Sequence, residues 1–213
     1  MRGSFVVIEG PDGAGKSTLI TRLVGRLGRE GFDYVAVREP GGTPAAEFAR
    51  RGAFDHELDA SSAAELFFFL AARADLVEKV IRPSMTAGKL VLSDRYELST
   101  FAYQVAGRGL PDAAVRTANA LATGGLRADL TLILDLPVQA ARERRTTRGR
   151  NPDRMEGEDL EFHERVGEAF LNARGPGFHH IDASGSPDDI EQEAWDLCRA
   201  LVDGTMAGPA GST

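Results

Sequence analysis

The sequence predicts an α/β fold, a five-stranded parallel sheet flanked by helices, and three observations predict it. Five short apolar runs, over residues 5–8, 34–37, 90–93, 130–134 and 178–181, have the length and the β-branched or aromatic content of buried strands. Segments of helix length separate them, which sets successive strands parallel with helices on both faces. The first run passes through a glycine-rich turn straight into a helical pattern. With 213 residues and 42% hydrophobic content, one domain over 1–203 can fill its own core, and the small, glycine-rich residues 204–213 are expected to be a disordered tail.

The strand over 5–8 feeds a helix over 17–29, with Leu19, Leu23, Val24 and Leu27 as its apolar positions and Gly31 as its stop. After the strand over 34–37, the run REPGGT from Arg38 to Thr43 can continue neither element, because Pro40 and two glycines interrupt it. It is therefore a loop at a strand's C-terminal end, where open parallel sheets hold their ligands. Residues 46–59 suit a short helix and a loop, and 62–81 the clearest long helix, with Pro83 near its stop. The strand over 90–93 delivers Asp94, Arg95 and Tyr96 to the same edge. Helices are expected over 99–105 and 113–122. The strand over 130–134 ends at Asp135 and leads into a helix over 138–146. Residues 148–156, polar and charged with Gly149 and Pro152, suit a mobile cover. Helices over 158–171 and 190–202 flank the last strand. Strand order is not encoded in this pattern.

Composition narrows the function. Twenty-five basic against 32 acidic residues give a net charge of −7, which speaks against a dedicated nucleic-acid binder but not against a pocket dominated by a few arginines. A single cysteine, Cys198, forms no internal disulfide, and the four histidines are too dispersed for a metal cluster. The first apolar run is too short for a signal peptide, and the richest, over 66–72, is far shorter than the roughly 20 residues of a membrane span. No membrane association is expected, and the cytoplasm is the expected compartment.

The chemistry starts at GPDGAGKST, where Gly10, Gly15, Lys16 and Ser17 complete the pattern G-x-x-x-x-G-K-S between a strand and a helix. In that context it is a phosphate-binding loop, and the fold class narrows to that of the P-loop NTPases. Gly10, Pro11, Asp12, Gly13, Ala14, Gly15, Lys16, Ser17 and Thr18 are the candidate ATP contacts. Glycines let successive N–H groups converge on one phosphate, and the following helix start adds partial positive charge. Lys16 is placed to reach the β- and γ-phosphates, and Ser17 to ligate Mg²⁺. Asp94 is a candidate second organiser of that ion. Asp12, a carboxylate inside an anion-binding loop, is expected to face a second ligand or a bridging metal.

Arg38 and Arg95 leave different strands at the edge that holds this loop. Two guanidinium groups there would grip a second phosphate, which separates transfer to a nucleoside monophosphate from plain ATP hydrolysis. Phe69 and Arg73, four apart, share a helix face. The ring can stack on a base while the guanidinium bonds an exocyclic oxygen; Phe67 and Phe68 are read as packing residues. Tyr96, Ser99, Thr100, Tyr103 and Gln104 mix hydroxyl, ring and amide groups suited to a sugar and a base, with Tyr103 placed to crowd a 2′-hydroxyl. Six arginines (142, 144, 145, 148, 150 and 154) make an arginine-rich lid over about 144–157, able to stabilise a transferring phosphoryl group and exclude water.

Together GPDGAGKST, REPGGT, the Phe69-to-Arg73 helix, DRYELSTFAYQ over 94–104 and the arginine-rich segment ending DRME at Glu156 resemble bacterial thymidylate kinase, over nearly the whole chain. The resemblance implies a P-loop kinase with a five-stranded parallel sheet, a homodimer, and transfer of the γ-phosphoryl group of ATP to dTMP. It implies that Arg38 and Arg95 bind the dTMP phosphate and that Phe69 stacks on thymine. Arg73 would bond the O4 side, Thr100 and Gln104 would surround the base, and Tyr103 would lie beside the deoxyribose. Asp12 would lie near the 3′-hydroxyl and magnesium. Members with glycine at the position of Gly13 draw their catalytic arginine from the lid, here Arg148, with Arg144 and Arg150 behind it. A deoxynucleoside kinase with Glu39 as base is the nearest enzyme alternative, and a non-catalytic nucleotide-binding regulator the alternative of another class.

Overall fold

In the structure, a computed structural model describing residues 2–55, 57–146 and 154–205, five strands form one wholly parallel sheet. They are β1 (Phe5–Glu9), β2 (Tyr34–Arg38), β3 (Leu90–Asp94), β4 (Leu130–Asp135) and β5 (Phe178–Asp182), in the order β2-β3-β1-β4-β5. Ile8 and Arg38 both register on Asp94. The ends of β1, β2 and β3 are therefore level, and Gly10, Glu39 and Arg95 leave the sheet at one edge.

Both sheet faces are covered, so β1 reads as an unbroken apolar run from Phe5 to Ile8 and is buried throughout, Glu9 included. Its alternate residues enter different cores. Val6 and Ile8 pack with α1 (Lys16–Arg29) and α9 (Pro187–Val202) through Leu19, Leu23, Ala194 and Trp195. Phe5 and Val7 face Leu76, Ile81 and Met85. Ile133 of β4 meets Phe162 and Phe170 of α8 (Leu160–Leu171) on the same face as Phe5. The remaining helices are α2 (Pro44–Phe54), α3 (Ser62–Leu76), α4 (Arg82–Thr86), α5 (Glu97–Thr100), α6 (Asp112–Thr123) and α7 (Val138–Thr146).

Side-chain caps set several boundaries that periodicity misplaces. Thr43 accepts from Ala46 N–H and Pro44 occupies the first turn, so α2 starts directly after the REPGGT loop. Asp159 caps Phe162 N–H at 2.8 Å, which starts α8 two residues later than the expected 158. Ser186 with Pro187 opens α9 ahead of the expected 190. The long helix expected to stop near Pro83 instead runs on to Thr86. A π-helical turn, Val77–Ile81, leads without a break into α4, and Pro83, which has no N–H to donate, falls just after that irregular turn. A second π-helical segment, Phe101–Gly107, continues α5.

Phe67 corrects a packing expectation: it is 62% exposed, whereas Phe68 lies against Gly52 of α2. Residues 147–153 of the expected lid and 206–213 of the expected tail lie outside the described residues. Among the described residues, no helix is long and apolar enough to cross a membrane.

Candidate active site

The turn after β1 takes positive φ at Gly10 (138°), Gly13 (95°) and Gly15 (100°). A side chain is excluded at Gly13 by space as well, since a Cβ there would lie 2.4 Å from Ala141 O of α7. No side chain caps the start of α1. Its first N–H groups are left for another acceptor, as at an anion-binding helix start. Lys16 folds back across the loop, donating to Gly10 O and Pro11 O, each at 2.9 Å. Burial and the neighbouring Arg95 lower its pKa to about 8, against the opposing pull of Asp12, Asp94 and Glu9. A phosphate entering the loop would offer this ammonium a charged acceptor in place of two carbonyls.

Gly10, Pro11 and Ala14 are buried beneath the loop, Thr18 is exposed beside it, and Asp12, Gly13, Gly15, Lys16 and Ser17 open on a cavity of about 270 Å³. Ser17 Oγ lies 3.4 Å from Asp94 Oδ2, and Asp94 Oδ1 is buried with no hydrogen-bond partner among the described residues. A hydroxyl and an under-used carboxylate are hard oxygen donors that fit Mg²⁺, an ion usually held by one or two protein groups with phosphates and waters. Asp12 is turned elsewhere: its carboxylate accepts from Arg95 Nη2 at 2.5 Å and from the Tyr103 hydroxyl at 2.7 Å.

Arg95, directly after β3, has φ 73°, a conformation that costs a non-glycine residue about 1–3 kcal/mol. A buried network holds it. Glu9, fully buried at the end of β1, accepts from Tyr96 N–H at 2.8 Å, from Ser99 N–H at 3.1 Å and from Ser99 Oγ at 2.6 Å. Ser99 Oγ in turn accepts from Arg95 Nη1 at 2.9 Å. The guanidinium thus lies between the glycine loop and Tyr103, over whose ring it stacks at 5.2 Å.

Arg38 reaches the same cavity from β2, half exposed, with Nη1 on Pro40 O at 2.9 Å and Nη2 on Glu47 at 2.7 Å. Opposite lies Phe69, which meets Phe54 edge-on at 5.7 Å. Arg73, one turn later, is 3% exposed and donates to Glu39, Thr100, Asn119 and Tyr96 O at 2.7–2.8 Å. Four of its five N–H groups are thereby committed to protein. Glu39 Oε1 is buried with no partner among the described residues. Burial raises the Glu39 pKa to about 7 against the opposing pull of Arg73. Thr100 and Gln104, both 2% exposed, complete this wall with Tyr103.

Of the arginines expected to form a lid, Arg144 donates to Ala183 O after β5 at 3.1 Å. Arg148 and Arg150 lie outside the described residues. Arg154 reaches Glu65 of α3 at 2.6 Å. The sequence reading missed Arg50, Phe54 and Met155, all on the cavity wall. Arg50 and Phe54 carry the same four-residue spacing on α2 as Phe69 and Arg73 on α3, and Arg50 stacks over Phe54 at 4.8 Å. That spacing was legible, but residues 46–59 show no periodicity strong enough to fix the helix first.

Comparison with known proteins completes the picture. The family model described as thymidylate kinase matches residues 8–194. A thymidylate kinase of Cereibacter sphaeroides is 47% identical over 210 residues, covering 94% of this chain and 95% of its own. Those of Deinococcus radiodurans (42% over 197 residues, 91% and 95%) and Desulfovibrio desulfuricans (44% over 209, 93% and 94%) are similarly matched.

Proposed function

The chain belongs to the thymidylate kinase family, and on that premise we propose that it transfers the γ-phosphoryl group of ATP to dTMP, giving dTDP and ADP for dTTP synthesis. The observation that carries the reading is one cavity lined by the glycine-rich loop, by Phe69 and by two arginines, Arg38 and Arg95, the second bonded to the loop's own Asp12. Two phosphorylated ligands can meet there end to end.

At the donor end the fold acts as a P-loop NTPase. Backbone N–H groups of 10–18 cradle ATP, and Lys16 moves from its two carbonyls to the β- and γ-phosphates. Ser17 and Asp94 would hold Mg²⁺, with Asp12 nearby, and the ion would neutralise phosphate charge. At the acceptor end Arg38 and Arg95 exchange part of their carboxylate and carbonyl contacts for the dTMP phosphate. Phe69 stacks on thymine, Arg73, Thr100 and Gln104 face the base edge, and Tyr103 and Asp12 border the sugar. The dTMP phosphate is already anionic near neutral pH, so no general base is required, and alignment and charge stabilisation supply the rate. A lid arginine, Arg148 with Arg144 and Arg150 behind it, would cover the transferring group.

The proposal extends to a cytoplasmic homodimer with no nucleic-acid or membrane partner. Exposed Phe48 on α2, Phe67 on α3 and Leu121 on α6 support self-association, which sedimentation would measure. The deciding experiment is ADP release with Mg-ATP across the nucleoside monophosphates, with thymidine included. Turnover should be greatest with dTMP; turnover of thymidine in its place would make the protein a nucleoside kinase, and none with any acceptor would make it a regulator.

A further inference from the structure

Glu65 does not line the cavity but lies directly behind Gln104, which does, and it accepts four hydrogen bonds there. It is 1% exposed in the first turn of α3. Its Oε1 accepts from Gln104 Nε2 at 3.0 Å and Arg108 Nε at 3.1 Å; its Oε2 accepts from Arg108 Nη2 at 2.9 Å and Arg154 Nη2 at 2.6 Å. A carboxylate so placed has only acceptors to offer, so the Gln104 amide must turn its NH₂ toward it. The Gln104 carbonyl oxygen, which meets no donor among the described residues, is then the polar atom that this side chain can present to the cavity it lines.

Beside it the wall carries the opposite polarity. Arg73 keeps one N–H uncommitted, and Thr100 Oγ1, which accepts from Arg73, has its own hydroxyl hydrogen to give. The wall therefore offers an acceptor next to donors. A 4-oxopyrimidine presents the complement, an N3–H donor beside an O4 acceptor. A 4-aminopyrimidine presents the inverse, an N3 acceptor beside an amino donor. We infer that Glu65 is a positioning residue for base choice: by fixing which end of the Gln104 amide faces the cavity, it sets the wall to accept 4-oxopyrimidine nucleotides and reject 4-amino ones. This rests on the proposed dTMP site and adds the residue that sets its polarity.

The test compares binding of dTMP and 5-methyl-dCMP, which share sugar, phosphate and methyl group and differ at the base's N3 and C4 edge. Calorimetry on the wild-type protein should favour dTMP by roughly a hundredfold or more, as expected where a mismatch leaves buried polar groups unpaired. In Glu65→Gln the new NH₂ must face a pair of donors, either Gln104 Nε2 with Arg108 Nε or the two guanidinium nitrogens Arg108 Nη2 and Arg154 Nη2. The first orientation is the less costly, because Gln104 can flip and present its own NH₂ to the cavity, leaving only Arg108 Nε opposed. The preference should shrink by at least about tenfold or invert. Glu65→Asp keeps the negative charge but draws the carboxylate back by one methylene, which loosens its hold on the Gln104 amide; it should also shrink the ratio, and it serves if Glu65→Gln does not fold. A purely structural role for Glu65 would weaken both ligands together at an unchanged ratio, and that result in a folded variant overturns the inference. Failure of the wild-type protein to bind dTMP would instead overturn the proposed function.

Discussion

The Arg95 guanidinium donates to the Asp12 carboxylate across 2.5 Å and so ties the turn after β3 to the glycine-rich loop after β1. The two residues are 83 positions apart in sequence. Their contact marks where the proposed acceptor phosphate meets the proposed donor, with Tyr103 bonded to both. The carboxylate compensates a cation that is only 17% exposed.

Removing the cation should therefore affect one ligand far more than the other. Arg95→Ala is expected to lower kcat/KM for dTMP by at least about a hundredfold, roughly 2.7 kcal/mol. ATP affinity should change by less than about threefold, because the loop's backbone donors are untouched. Steady-state kinetics with a separate nucleotide-binding titration measures both, and equal losses for the two ligands would contradict the assignment.

Gly13 has neither the conformation nor the room for a side chain. Gly13→Ala should push α7 away from the loop or distort the loop itself, at about 1–3 kcal/mol. The expected outcome is a lower melting temperature together with weaker ATP binding. Wild-type values for both would show that the contact with Ala141 is not rigid.

Tyr103 combines a buried ring with a hydroxyl on Asp12. Tyr103→Ala should weaken discrimination against the ribonucleotide counterpart of dTMP, whereas Tyr103→Phe should keep it, since the ring does the crowding. Relative kcat/KM for the deoxy and ribo substrates reads this directly. Unchanged selectivity in the alanine variant refutes the role.

Single alanine variants of Arg144, Arg148 and Arg150 distinguish the candidates for the transferring group. One should lose more than about tenfold in kcat, roughly 1.4 kcal/mol. Arg144, already held by Ala183 O, is expected to lose less than Arg148. If none falls that far, the lid does not stabilise the transition state.

Glu39 gives a pH signature. Burial lifts its pKa from 4.5 to about 7, against Arg73. Between those values the folded protein holds a proton that the unfolded chain has released. The group's contribution to stability is complete below pH 4.5 and is lost as pH rises to about 7. Glu39→Gln, neutral throughout, should flatten that fall. Denaturant melts at stepped pH test it, and identical slopes for both proteins would count against the shift.

The five strands, the parallel sheet and the strand-end residues of the candidate site are legible in the order of residues, because these depend on local signals. Buried strands are short apolar runs, a phosphate-binding loop must be glycine-rich within a few residues, and Phe69 and Arg73 are one helical turn apart. Helix boundaries were less legible where a side-chain cap or a π-helical turn overrides periodicity, as at Asp159 and before Pro83. The strand order, the buried Glu9 network behind Arg95, the commitment of Arg73 to four protein acceptors and the hold of Glu65 on Gln104 emerge in the folded chain alone. Each of these pairs groups far apart in the chain, and a hydrogen bond's direction and burial depend on where the backbone brings its partners together, which no local pattern of residues specifies.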